Sequence, residues 1–208
     1  LLFFQADIHG NLLIRQRMQV IRALLEREDE ITVVTSIDGC MDYLAPLEKI
    51  EKQLIHFRND STLDMDKLTA ALVHMGYERV GQVEMPGQFS IRGGIIDIYS
   101  LTEENPWRIE LWGDEIDSIR TFDAESQRSI ENIESVKIYP ASEYFLDKKT
   151  IEDGIAKIKK ELEKSEKKFR EEFNTEEANN LKNTVGEFLT NMDINPYSVA
   201  IDSYVNYF

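Results

Sequence analysis

The run Gln88-Phe89-Ser90-Ile91-Arg92-Gly93-Gly94-Ile95-Ile96-Asp97-Ile98-Tyr99 constrains the fold more than any other stretch. Apolar and polar residues take turns along it, and a glycine pair interrupts them. Alternation with period two is the mark of a half-buried strand, because successive side chains point to opposite faces. A glycine pair inside such a pattern marks a turn or bulge where the backbone needs φ > 0 or close approach. The pattern returns at Trp107 to Trp112, at Glu115 to Phe122 and at Val136 to Tyr139. Met85 to Gln88 and Glu103 to Pro106 are turn-rich connections between these runs. Four or five short strands of this kind predict an antiparallel sheet with one apolar face.

Alternation also sorts the side chains. Phe89 and Ile91 belong to one face and Ser90 and Arg92 to the other. Trp107, Ile109 and Leu111 belong to one face and Arg108, Glu110 and Trp112 to the other. With only this pattern in view, the polar face reads as a solvated surface with cross-strand ion pairs. Exposed ion pairs contribute roughly 0–1 kcal/mol each, so its arginines are expected to matter little for folding.

The flanks are helix-rich. Leu1 to Gln5 is an apolar run with the character of a buried strand, followed by a turn at Asp7 to Asn11. Leu13, Met18, Val20, Ile21, Leu24 and Leu25 predict a helix over about Leu12 to Arg27. The β-branched run Ile31 to Thr35 predicts a buried strand, and Gln53 to Phe57 another, with a short helix ending near Pro46 between them. Asp64 to Met75 predicts a helix stopped by Gly76. Beyond the sheet, Ile151, Ile155, Ile158, Leu162, Phe169 and Phe173 form an apolar stripe on a long charged helix from Lys148 to Phe173. Asn174-Thr175 breaks it, and Ala178, Leu181, Val185, Phe188 and Met192 mark a second helix, antiparallel to the first. The fold class is therefore α/β with α+β character. The expected division is a flanking segment at 1–59, a β-rich domain at 60–147 and a helical return segment at 148–208.

Bulk properties narrow the function. The chain has 208 residues and a formal net charge of −15. Nonspecific affinity for nucleic acid comes largely from cationic contacts, so this charge disfavours DNA binding and suits a protein partner. No apolar run approaches the roughly 18 residues that a bilayer requires. The chain starts at Leu1 without a recognisable leader, as expected of a piece of a longer protein. One cysteine, Cys40, rules out an internal disulfide and fits the reducing cytoplasm. With no histidine near it in sequence, Cys40 reads as a small core residue rather than a nucleophile.

Three segments imitate parts of enzyme sites. Asp7-x-His9-Gly10-Asn11 and Gly113-Asp114-x-x-Asp117 resemble parts of calcineurin-like metallophosphoesterases, which bind two metals that activate water. Of the remaining histidines, His56 and His74, neither stands in the Gly-Asn-His element such a site needs. Gly76 to Gly81 has the first spacing of a phosphate-binding loop, but Gln82 stands where a lysine is required. A nucleotide- or metal-dependent hydrolase is thus the disfavoured alternative.

Several segments together resemble a known family. They are Gly76-Tyr77-Glu78-Arg79-Val80, Arg92 to Ile98, Arg108-Ile109-Glu110, Gly113 to Arg120 and Tyr139-Pro140-Ala141-Ser142-Glu143. In this order they resemble the UvrA-binding domain of bacterial nucleotide excision repair, which UvrB and the transcription-repair coupling factors carry. Phe122 to Ser129 is closer to the coupling factors, and the flanks are similar to their N-terminal region. The resemblance implies a recognition module, not an enzyme, that recruits UvrA to stalled RNA polymerase. It implies that Arg79, Arg92, Arg108, Glu110 and Phe89 contact UvrA. An arginine fork suits that task because it can hold a carboxylate through two hydrogen bonds. UvrB commonly has a further arginine where this chain has Ser90. The resemblance also implies that RNA polymerase and DNA are bound by other parts of the whole protein. ATP and magnesium serve a motor outside this chain, which itself needs no cofactor. The remainder of the protein is implied to mask the UvrA surface within the same molecule.

Overall fold

The computed structural model describes residues 12–26, 30–41, 44–144, 146, 148–194 and 202–208. The run Leu1 to Gln5 and the imitation at Asp7 to Asn11 lie outside them. The described residues form two compact units, one within 12–144 and one within 146–208.

The first unit opens with helix α1 (Leu12–Glu26). Ile14, Met18, Ile21 and Leu25 recur at spacings that put them on one side, and all four join the main core. The predicted strand at Ile31 to Thr35 does not form; Val33 and Val34 are exposed and no described strand pairs with them. β-branched residues favour strands only where a neighbouring strand and a packed face are available. Helix α2 (Ile37–Met41) follows and carries Cys40, which is exposed rather than in the core. Helix α3 (Leu47–Glu51) buries Ile50.

Strand β1 (Ile55–Arg58) pairs antiparallel with the distant β8 (Ser135–Ile138) as a separate two-stranded sheet. The alternating run at Val136 thus leaves the main sheet to which its pattern assigned it. The stretch at Asn59 to Thr62, expected as a domain boundary, is instead stitched into the same unit. The Asn59, Asp60 and Leu63 amides donate to the carbonyls of Glu134, Ile116 and Asp114. Helix α4 (Met65–His74) starts at Asp64, whose Oδ1 accepts from the Lys67 amide at 3.0 Å. Its Leu68 and Leu72 are buried. The chain leaving it is pinned by the Tyr77 hydroxyl, which donates to the Tyr139 carbonyl at 2.6 Å.

The main sheet has six strands in sequential order. They are β2 (Glu78–Arg79), β3 (Gln88–Arg92), β4 (Ile95–Ile98), β5 (Trp107–Trp112), β6 (Glu115–Phe122) and β7 (Ser129–Ile133). All neighbours are antiparallel except β2 and β3. The turns Gly93-Gly94 and Gly113-Asp114 each close a hairpin and each begin with glycine at positive φ, +60° and +64°. That is the hand of tight turn whose twist matches the strands. On one face Ile91, Ile96, Ile109, Ile119 and Ile133 stand in register across five strands. This row shares the main core with α1 and α4. A smaller cluster of Val83, Tyr99 and Phe122 forms separately.

The second unit is a pair of helices, α5 (Lys148–Glu171) and α6 (Thr175–Ile194), with a 3-10 turn at Asp202–Tyr207. Ala178, Val185, Phe188 and Met192 are buried, and the Tyr204 ring stacks on Phe188 with centroids 3.9 Å apart. Phe173 does not extend the apolar stripe of α5. It follows the helix end at φ +60° and is 93% exposed. A left-handed conformation is costly for a residue with a Cβ and free for glycine. Phe173→Gly is expected to stabilise this unit by about 1 kcal/mol after allowance for the looser unfolded chain. Thermal melting followed by helix circular dichroism should show the midpoint rising; a fall would mean that Phe173 makes stabilising contacts.

Candidate functional site

The polar face of the sheet is built by the same alternation that builds its core. Register places Ser90, Asp97, Arg108, Arg120 and Asn132 side by side across β3 to β7. The adjacent row runs Arg92, Ile95, Glu110 and Ser118. Three guanidinium groups and two carboxylates therefore meet on one face.

Asp97 is the centre of this group. Its side chain is fully buried, and both oxygens are occupied. Arg108 grips it with two bonds, Nε to Oδ1 at 2.7 Å and Nη2 to Oδ2 at 2.9 Å. Arg92 Nη2 reaches the same Oδ2 at 2.6 Å. Glu110 pairs with Arg120 and accepts from the Ser118 hydroxyl at 3.3 Å.

The two arginines differ in their surroundings. The Arg108 side chain is 16% exposed and lies 4.3 Å from the centroid of the Phe122 ring. Its remaining donors reach the Gln127 carbonyl at 3.4 Å and the Gln127 amide oxygen at 3.2 Å. Hydrogen bonding to Asp97 holds the Arg108 guanidinium above its ordinary pKa, against the opposing effect of burial. Arg92 is 45% exposed, and the Asp97 carboxylate is its only described hydrogen-bond partner. The reading of the face arginines as solvated side chains therefore does not describe Arg108. That residue is the principal counter-ion of a buried charge, not a solvated side chain.

Arg92, Arg108 and Glu110 thus share one face. Arg79 is exposed, but β2 aligns it with Phe89 rather than with Ser90 or Arg92. Phe89 needs correction as a contact residue: it is fully buried in the main core beside Ile98 and Trp107. An aromatic with no exposed surface offers nothing to a partner. Asp114 and Asp117 stand on the β5–β6 hairpin, and no group of three or more potential metal ligands occurs among the described residues. Gly76 follows a helix and precedes a strand, the reverse of the order a phosphate-binding loop needs. Among the described residues no helix is long and apolar enough to cross a membrane.

Three participants were missed by the reading of motifs. Trp112 shares the β5 face with Arg108 and Glu110, and is 83% exposed at the tip of its hairpin. An indole so placed is unusual for a soluble surface and typical of binding hot spots. Its parity with Arg108 in sequence was the available signal. Asp97 was signalled too, since a two-residue turn sets it opposite Ser90 on the polar face. Gln127 gave no signal. It adopts φ +60° and its side-chain amide donates to the Val83 and Ala124 carbonyls at 3.1 and 2.7 Å.

The profile of the UvrB interaction domain matches residues 55–144. That match begins at β1 and ends just beyond β8, so it spans both sheets. The transcription-repair-coupling factor of Bacillus subtilis (strain 168) is 44% identical over 157 residues, which cover 74% of this chain and 13% of that protein. The transcription-repair-coupling factor of Staphylococcus aureus (strain MRSA252) is 38% identical over 176 residues, 85% of this chain and 15% of that protein. For the Staphylococcus haemolyticus protein of the same name the identity is 38% over 176 residues, 85% of this chain and 14% of that protein. The chain therefore spans about one seventh of the length of these curated relatives. Residues 55–144 therefore match the UvrB interaction domain, and most of the chain is similar to a part of the transcription-repair-coupling factors.

Proposed function

We propose that this chain is a protein-recognition module that binds UvrA through the arginine face of its six-stranded sheet. In the whole protein it would recruit UvrA to RNA polymerase stalled at DNA damage. The observation that carries this reading is the exposure of Arg92 and Trp112 on the same face. A half-exposed guanidinium and a fully presented indole stand on one face of a domain of this family. Arg and Trp are the residue types most enriched among energetic hot spots, and a sheet face holds them at fixed positions. Arg92 keeps donors free beyond its one bond to Asp97, so a carboxylate on the partner is the complementary group. Arg79, on the edge strand β2, is assigned to the rim of the contact.

RNA polymerase and DNA are assigned to other parts of the whole protein. ATP and magnesium are assigned to a motor outside this chain, with no cofactor held here. The cytoplasm is the compartment proposed, and masking of the arginine face by the rest of the same molecule is the proposed control.

The test is titration of immobilised UvrA with the 208-residue chain and with its Trp112→Ala variant. The parent is expected to bind. The variant should lose roughly thirtyfold in affinity, the loss of a hot spot worth about 2 kcal/mol. Its thermal midpoint should be almost unmoved, because the indole is exposed. A parent chain that does not bind UvrA overturns the recruitment reading; a variant that binds like the parent removes Trp112 from the site.

A further inference from the structure

We propose that Asp97 is the positioning residue of the recognition face: its single buried carboxylate orients Arg92 and Arg108 together for a partner's acidic group. This rests on the UvrA reading above. The geometry is specific. Arg108 spends Nε and Nη2 on Asp97, and its Nη1 and Nη2 also reach Gln127. Arg92 spends only Nη2 on Asp97, so its other donors are available on a side chain that is half exposed. One carboxylate oxygen, Oδ2, accepts from both arginines and so ties the two guanidinium groups to a common point.

An unattached arginine side chain has many rotamers, and immobilising it on binding costs conformational entropy. Asp97 removes that freedom in advance. It sits on the inner strand β4, fully buried, between the strands that carry the two arginines. It therefore cannot itself touch a partner. Its effect on recognition passes through Arg92 and Arg108. Gln127 holds Arg108 from the other side, so the Arg108 plane is fixed by two anchors and Arg92 by one.

Asp97→Asn separates positioning from simple charge attraction, because the two predict opposite signs. The variant has nearly the same shape, and its face gains one unit of positive charge. If the face only attracted an acidic partner, binding would tighten. If Asp97 positions, binding weakens despite the extra charge, by about tenfold for the release of two side chains. Affinity for UvrA would be measured for the parent, Asp97→Asn, Arg92→Lys and the double variant. Arg92→Lys replaces an oriented fork by a point charge and should weaken the parent. In the Asp97→Asn background it should cost much less, because the orientation is already lost. A purely structural role would lower stability without this coupling.

Tighter or unchanged binding by Asp97→Asn overturns the proposal, as does full additivity of the two changes. A parent chain that does not bind UvrA sinks the recruitment reading instead, and so the two failures are distinct. Should Asp97→Asn fail to fold, the parent itself supplies the measurement through NMR relaxation of the Arg92 side-chain Nε–H. A held guanidinium gives an order parameter well above about 0.6, and a value below that overturns the proposal.

Discussion

Arg108→Ala should lower the stability of the sheet-bearing unit by about 3 kcal/mol, the low end of the cost of breaking a buried ion pair. The loss is large because Asp97 stays behind. Its carboxylate would keep one bond, from Arg92, and lose the two from Arg108. Arg92 is the weaker counter-ion, since it is 45% exposed against 16% for Arg108. The Phe122 ring would also lose the guanidinium beside it, and Gln127 the donors that hold its loop. Urea unfolding followed by tryptophan fluorescence would read the change as a lower midpoint. Adding Asp97→Asn to Arg108→Ala should recover part of the loss, because it removes the stranded charge. A loss under about 1 kcal/mol would place Arg108 among ordinary surface ion pairs and return the face to its solvated reading.

Arg92→Glu should do the reverse: leave the fold nearly intact and abolish most of the affinity for UvrA. Arg92 ends strand β3 beside the Gly93 turn, and its side chain can turn to solvent when its charge is reversed. Asp97 keeps its stronger partner, so stability is expected to fall by no more than about 1 kcal/mol. At an interface the effect is different in kind. Truncating a desolvated charge partner costs about 2 kcal/mol or more, and reversal adds repulsion. A hundredfold loss, roughly 2.7 kcal/mol, is the expected scale. Surface plasmon resonance against UvrA and a melting curve on the same sample would test both halves. Unchanged affinity would take Arg92 out of the contact. Unfolding would make it structural and leave the face between β3 and β7 without its most exposed arginine.

The contrast between these two arginines shows how far the site was legible. Strand alternation put Arg92, Arg108, Glu110 and Trp112 on one side of their strands, and the register confirms that shared face. The Gly93-Gly94 turn was legible too, and so was α4, since a cap residue and a periodic stripe are local signals. What alternation cannot say is how much water reaches a polar face. Phe89 was misplaced for another reason: the resemblance made it a contact, although alternation had set it with Ile91 on the face that packs into the core. Ile31 to Thr35 failed in the opposite sense, because its residues favour a strand and no described strand pairs with it. Phe173 fitted a periodic stripe that the helix ends before reaching.

Local sequence sets the period-two strands, the two glycine-led hairpins, the helix stripes and the family resemblance. Each of these is set by neighbours a few residues apart, or by motif order along the chain. Tertiary structure alone decided which polar residues are exposed. Arg108 meets Asp97 only because β5 pairs with β4 after the connection through Glu103 to Pro106, and meets Gln127 only because the loop beyond β6 folds back. The same long-range pairing drew β8 out of the main sheet to β1. Burial is a property of what covers a side chain, and here the covering groups come from strands and loops remote in sequence. One carboxylate taken out of water thereby gives two similar arginines different surroundings, Arg108 largely covered and Arg92 half exposed.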